Sequence, residues 1–190
     1  MAAVASPWLD SILARLATRP PRAFPRLPGL APAAVLLPLV ARGSGGPAVV
    51  LIRRSNDVPT HRGQVALPGG RVDPGDADLE ATARRETCEE LGVPVDAVRV
   101  LARLDDMPTI TGYLVTPFVG TIDPGCTPRP DAREVAAVFD LPLDILRGPD
   151  FKLRPPWSWI RPPDVQYAGH RIWGATALIL AGFAARALGD

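Results

Sequence analysis

The chain has 190 residues, 47% of them hydrophobic and 22% charged, with a formal net charge of +1. That length supports one domain with a sizeable core, and nothing in so near-neutral a balance suggests a nucleic-acid-binding surface, a disordered chain or an acidic tail. Two cysteines far apart in sequence, Cys88 and Cys126, argue against a disulfide framework. No apolar run approaches the roughly 20 residues of a membrane span, and the first residues lack the order of a secretory signal, so a cytoplasmic location is expected. The excess of arginine over acid in residues 1–26 (Arg15, Arg19, Arg22 and Arg26 against Asp10) leaves a transit peptide as the alternative.

In chain order, residues 6–18 read as a helix, with Ser6 as cap, Pro7 at its first position and apolar Leu9, Ile12, Leu13 and Leu16 on one side. Pro20, Pro21, Pro25, Pro28 and Pro32 then form a linker too short to separate domains, so the helix should pack on the remainder. Residues 33–40 and 48–52 are β-branched-rich runs around a Gly/Ser turn and predict a strand pair. The chain next turns polar and basic, from Arg53 to Gly63, with Arg54, His61 and Arg62 among its cations. A solvated surface loop is the plain reading of that segment.

Pro68, Gly69 and Gly70 read as a turn, followed by a second one at Asp73, Pro74, Gly75 and Asp76. From Asp78, a plausible N-cap, to Gly92, suited to positive φ, the residues favour helix. Glu86, Glu89 and Glu90 stand at i, i+3 and i+4, within one arc of roughly 100°, while Ala81, Cys88 and Leu91 cluster on the other side. Each like-charged pair costs a few tenths of a kcal/mol, and a divalent cation would reverse the sign. Two or three carboxylates, with water and phosphate filling the other positions, are a ligand set that Mg²⁺ prefers. A solvated acidic face is the alternative.

The stretch Arg85-Glu86-Thr87-Cys88-Glu89-Glu90-Leu91-Gly92-Val93 resembles the second half of the Nudix box, R-E-U-x-E-E-x-G-U with U aliphatic, and Gly70 matches its opening glycine. Thr87 stands where an aliphatic residue is usual. The span from Gly70 to Arg85 is one residue longer than the common pattern, and the box's internal Glu is replaced by Asp76 or displaced to Glu80. The resemblance implies an α/β fold, the Nudix α/β/α sandwich with a mixed β-sheet between helices, comprising residues 33–190, with residues 1–32 as a helix and linker packed on it. It also implies Mg²⁺ or Mn²⁺ held by Glu86 and Glu90, with Glu89 as third ligand or general base and Arg85 holding Glu89 in place.

A second signature precedes the box. Arg54-Ser55, Gly63 and Leu67-Pro68-Gly69-Gly70 resemble the motif of coenzyme A diphosphatases within the Nudix group, with Pro59 in place of the usual Arg and Leu67 in place of Phe. This implies hydrolysis of the diphosphate of coenzyme A or its thioesters, with Arg54, His61, Arg62, Gly69 and Gly70 binding substrate. A Nudix diphosphatase for another nucleoside diphosphate-X, such as ADP-ribose or a dinucleotide, is the alternative, and a non-catalytic Nudix module is a third. The implied partner is a small molecule, with no nucleic acid and no membrane; the oligomeric state is left open, a homodimer being one alternative.

Residues 95–104 and 114–122 predict further strands, with Asp105 and Asp106 in the loop between them. Those two carboxylates either bind a second cation through water or serve as turn residues. Residues 134–141 alternate as a strand; Glu134 at its head is either an additional acid for the metals or a surface residue. Strands are also expected near Trp157–Ile160 and Val165–Tyr167. His170-Arg171-Ile172-Trp173-Gly174 resembles the closing segment of coenzyme A-type members, with Trp173 expected in the core, and a largely buried helix should run from Ala175 to Leu188.

Overall fold

The computed structural model describes residues 6–25, 28–42, 46–58, 61–152 and 162–189. Pro59, Arg26 and the strand expected near Trp157–Ile160 lie outside these residues. The centre is a mixed eight-stranded sheet built on two long apolar strands, β1 (Ala31–Ala41) and β2 (Pro47–Arg54). The two pair antiparallel only near their hairpin, Leu39 opposite Val49 and Val40 opposite Ala48, and then diverge. Into the opening between them fit two short strands, β3 (Val65–Ala66) on β2 and β4 (Gly69–Arg71) on β1. The glycines at 69 and 70 are therefore strand residues and not the turn expected of them, because without side chains their backbone can pair closely with Ala34 and Val35.

Beyond β1 run β5 (Val98–Arg103), β6 (Met107–Pro108) and β7 (Tyr113–Ile122), the last parallel to β1 from Ala31 to Leu39. Strand β8 (Val135–Pro142) covers the far side of β2. A separate hairpin, β9 (Val165–Tyr167) and β10 (His170–Ile172), follows.

Because both faces of β1 and β2 are covered, they read as continuous apolar runs whose side chains alternate between two cores. Leu37, Leu39, Val49 and Leu51 join one cluster with Ile12 and Leu16 of α1 (Pro7–Leu16) and with Ala177, Leu180 and Phe183 of α4 (Gly174–Ala187). Ala34, Leu36, Val50 and Ile52 join the other with Ala83 and Leu91 of α2 (Leu79–Leu91). A short helix, α3 (Leu143–Leu146), closes β8. The expected layering, a mixed sheet between helices, is what the chain adopts.

The N-terminal helix is tied down by the acidic pair that follows β5. Asp105 accepts from Arg19 at 2.7 Å, Arg186 at 3.1 Å and the Arg22 N–H at 2.9 Å. Asp106 is buried and accepts from Arg103 and Thr116, both at 2.7 Å, and from the Phe24 N–H at 2.9 Å. Of the two alternatives for this pair, the contacts favour a structural role over a second cation: arginines, a threonine hydroxyl and backbone N–H groups already occupy these carboxylate oxygens. Trp173, expected in the core, is 41% exposed instead. It directly follows β10, as the N-cap of α4, on the rim of a cavity, with the Arg171 guanidinium 5.4 Å above its ring.

Candidate active site

Helix α2 begins where Asp78 accepts from the Ala81 N–H at 2.8 Å and ends at Gly92, whose φ of +61° is the left-handed geometry a C-cap requires. Its buried face is Thr82, Ala83, Thr87, Glu90 and Leu91, so the sheet side of the helix carries a carboxylate among apolar and hydroxyl groups. Thr87 is completely buried, and its hydroxyl donates to the Ala83 carbonyl at 2.6 Å. That bond satisfies the one polar atom distinguishing it from the aliphatic residue usual there.

Glu90 is the deepest acid of the cluster, its side chain only 7% exposed. Arg54, the last residue of β2, donates to it at 2.9 Å, and the Gly69 N–H donates to its other oxygen at 3.0 Å. Burial nevertheless pushes the Glu90 carboxyl up to about 7, since desolvation outweighs the Gly69 N–H and the Arg54 charge. Burial also raises Glu86, against the pull of Arg85. The Glu86 carboxylate lies against Gly70 so closely that a Cβ there would overlap it. Any side chain at position 70 would thus have to displace the Glu86 carboxylate, because β4 and α2 meet through this glycine.

Arg85 is the hub on the more open side. It forks onto Asp76 at 2.9 and 3.0 Å, reaches Glu86 at 3.0 Å and Glu89 at 3.1 Å, and donates to the Arg71 carbonyl at 3.2 Å. Asp76 is held well below the usual carboxylate range, first by its hydrogen bonds from Arg85. Between the two acids that could replace the box's internal Glu, the geometry selects Asp76, because Glu80 pairs with Arg84 at 2.9 Å instead. An acid in the glycine turn nine residues before Arg85 was the signal for it.

The residues expected to bind substrate are divided by the fold. Arg54 and Gly69 meet at Glu90, and Gly70 meets Glu86. His61 is exposed at a φ of +56°, its Nδ1 3.0 Å from the Gln64 side-chain oxygen. Arg62 donates to the Val58 carbonyl at 2.9 Å and lines a cavity together with Arg53, which sequence reading did not single out. Glu134 is exposed at the head of β8, where its carbonyl accepts the Ser55 N–H at 2.8 Å, so it lies beside the end of β2.

Among the described residues no three His, Cys, Asp or Glu side chains converge as a ready-made metal cage. The donor set still suits a hard cation. Mg²⁺ binds through one or two carboxylates and keeps several waters, so it needs no preformed three-ligand cage. Glu86, Glu89 and Glu90 supply only oxygens, and two of them are raised in pKa by burial that a cation would offset.

The NUDIX domain model matches residues 30–144. The protein named "Uncharacterized Nudix hydrolase NudL" of Enterobacter sp. (strain 638) is 39% identical over 168 residues, covering 87% of this chain and 82% of its own length. Its namesake in Escherichia coli O1:K1 / APEC is 41% identical over 160 residues, covering 78% of each. Among solved structures, the Nudix hydrolase RenU of M. smegmatis superposes with a TM-score of 0.50 at 26% identity, covering 65% of this chain and 77% of that one. DR0079 of Deinococcus radiodurans gives a TM-score of 0.51 at 21% identity, covering 83% and 88%, and so shares the fold. Nudix enzymes act on small molecules and generally use divalent ions such as Mg²⁺ or Mn²⁺. Carrying the box's arginine and three glutamates on a helix buttressed by a glycine strand, and matched over more than half its length, this chain belongs to the Nudix family and is a hydrolase of phosphoric anhydrides.

Proposed function

We propose that this Nudix hydrolase cleaves the diphosphate of coenzyme A or its thioesters, releasing adenosine 3′,5′-bisphosphate and 4′-phosphopantetheine or its acyl form. The observation that carries the reading is the 2.9 Å contact between Arg54 and Glu90. It joins the Arg-Ser signature before the box to the box's own carboxylates, so the two motifs form one site.

Glu86 and Glu90 would hold Mg²⁺ or Mn²⁺, with Glu89 as a third ligand or as general base. When bound, such an ion neutralises the diphosphate oxygens and lowers the pKa of a coordinated water. The chain's own part is positioning. Arg85 fixes Glu89 and Glu86 from one side, and Asp76 fixes Arg85 in turn. The Gly69 N–H and Arg54 fix Glu90 from the other side. Arg54 is thereby poised to move from Glu90 to a substrate phosphate, to which its planar fork offers two donors. Glu89, the most exposed of the three, is the carboxylate that attacking water reaches most readily and would take its proton.

Coenzyme A differs from most Nudix substrates in its 3′-phosphate. Side-by-side kinetics on coenzyme A and its 3′-dephospho form should therefore show a preference for the former of about ten- to a hundredfold in kcat/KM, the worth of one charge-assisted phosphate contact. Equal rates on the two compounds, or faster turnover of ADP-ribose, would leave the hydrolase assignment standing and remove coenzyme A as its substrate.

A further inference from the structure

Strand β2 ends in two arginines, and consecutive strand side chains point to opposite faces of a sheet. Arg54 enters the α2 face and is engaged by Glu90. Arg53 enters the α4 face, where it lines a cavity of about 410 Å³ with Arg62 and Gln64 on one side and His170, Arg171 and Trp173 on the other. That volume falls within the about 300–1,000 Å³ of small-molecule sites.

Among the described residues no carboxylate lines this cavity. Arg171 is already neutralised by Asp164, in a bidentate pair at 2.9 and 2.6 Å. Among the described residues the Arg62 side chain bonds the neutral Val58 carbonyl. Among the described residues the Arg53 side chain has no hydrogen-bond or ion-pair partner, and its Nε is buried without an acceptor. A buried guanidinium N–H with nothing to accept from it is costly unless an acceptor, here an anion entering the cavity, completes it. The opposite wall is held firm, the His170 ring stacked on Phe139 at 4.1 Å with 5° between planes. The two faces also communicate through the backbone, since the Gln64 carbonyl accepts the Arg54 N–H at 2.9 Å.

We propose that this cavity is the subsite for the phosphomonoester of the substrate's nucleotide half, with Arg53 and Arg62 as its donors and the nucleotide passing around the β2–β3 end from the carboxylate cluster. The inference rests on the coenzyme A reading, because a plain nucleoside diphosphate carries no phosphomonoester to place there. It assigns the contact to Arg53 and Arg62, leaving Arg54 to the catalytic face.

Titration calorimetry of the full metal-free chain with adenosine 3′,5′-bisphosphate and with AMP tests it apart from catalysis. The bisphosphate should bind about ten- to a hundredfold more tightly than AMP. Arg53→Gln and Arg62→Gln should each bring that ratio toward one, while Arg99→Gln on exposed β5 leaves it unchanged. Arg62 is itself exposed, so its variant keeps the test valid even where Arg53→Gln fails to fold. In turnover, both variants should raise KM for coenzyme A about tenfold at similar kcat and leave the dephospho compound unaffected. Wild-type binding of the bisphosphate by both variants would overturn the proposal. So would bisphosphate bound through Arg53 that coenzyme A does not displace, which would make the cavity a separate anion site. Turnover of ADP-ribose in place of coenzyme A would overturn the substrate reading and, with it, the cavity's role as a substrate subsite, while a wild-type calorimetric ratio near one would overturn the cavity and leave the substrate reading standing.

Discussion

At the scale of single residues, Glu86 and Glu90 differ from ordinary surface acids in being desolvated while each is paired to an arginine. The carboxylate buried at position 90 is held by Arg54 and the Gly69 N–H, yet these two donors do not offset its desolvation. Retaining acids there makes sense when a cation is the absent partner. Glu86→Gln and Glu90→Gln keep shape and most hydrogen-bonding capacity but remove the charge. Both should lose at least two orders of magnitude in turnover, about 2.7 kcal/mol or more of transition-state stabilisation. Their circular dichroism should stay that of the wild type. A variant retaining more than about a tenth of the rate, a loss near 1.4 kcal/mol or less, would remove that residue from the ligand set.

Among the elements, the N-terminal segment has a more definite anchorage than its proline content foretells. Asp105 is pushed up by burial, but hydrogen bonds from Arg19 and the Arg22 N–H outweigh this and hold it below the usual carboxylate range. Asp106 accepts three bonds and sits almost entirely out of solvent. Asp106→Asn turns one of those acceptors into a donor facing Arg103, Thr116 or the Phe24 N–H. It should cost roughly 3 kcal/mol in denaturant unfolding, the scale of a lost charged hydrogen bond with an unsatisfied partner. The Mg²⁺ concentration giving half-maximal rate should not move at a permissive temperature. A shift of that midpoint would restore the acidic pair to the metal site.

The whole molecule couples stability to pH and to metal through Glu90. A carboxyl whose folded-state pKa lies above its unfolded value contributes stability that is full below the unfolded pKa, near 4.5, and is lost as pH rises through about 7. Asp76 and Asp105 run the other way, but both are held low, so their contribution is already complete above about pH 5. Between about pH 5 and 8 the metal-free protein should therefore become less stable as pH rises, by roughly 3 kcal/mol at most. Millimolar Mg²⁺ or Mn²⁺ should raise Tm most at the upper end of that range, since the ion binds the ionised, folded cluster, and chelator should reverse the gain. In Glu90→Gln the slope should flatten. A Tm in wild type that ignores both pH and saturating metal would count against a clustered site.

The elements themselves were legible along the chain, for a local reason. Runs such as residues 33–40, 48–52 and 114–122 are apolar because both faces of their strands are covered, and α2 announces its ends through Asp78 and Gly92. The box residues were equally legible, because i, i+3 and i+4 spacing on a helix places side chains together without tertiary help. Three things waited for the third dimension. The chain order of Gly69 and Gly70 cannot say that β1 and β2 splay apart and admit them as a strand. Asp105 meets arginines some eighty residues away on either side, and Asp106 accepts the backbone N–H of Phe24 across a similar span, so their structural role is a matter of long-range pairing. The basic run from Arg53 to Arg62 reads as one patch, yet strand alternation sends Arg54 to the carboxylates and Arg53 to the opposite cavity. Local chemistry and spacing determined which residues could hold a cation on a helix face; the packing of two helical layers on one sheet decided which charges remain in water and which must find a partner.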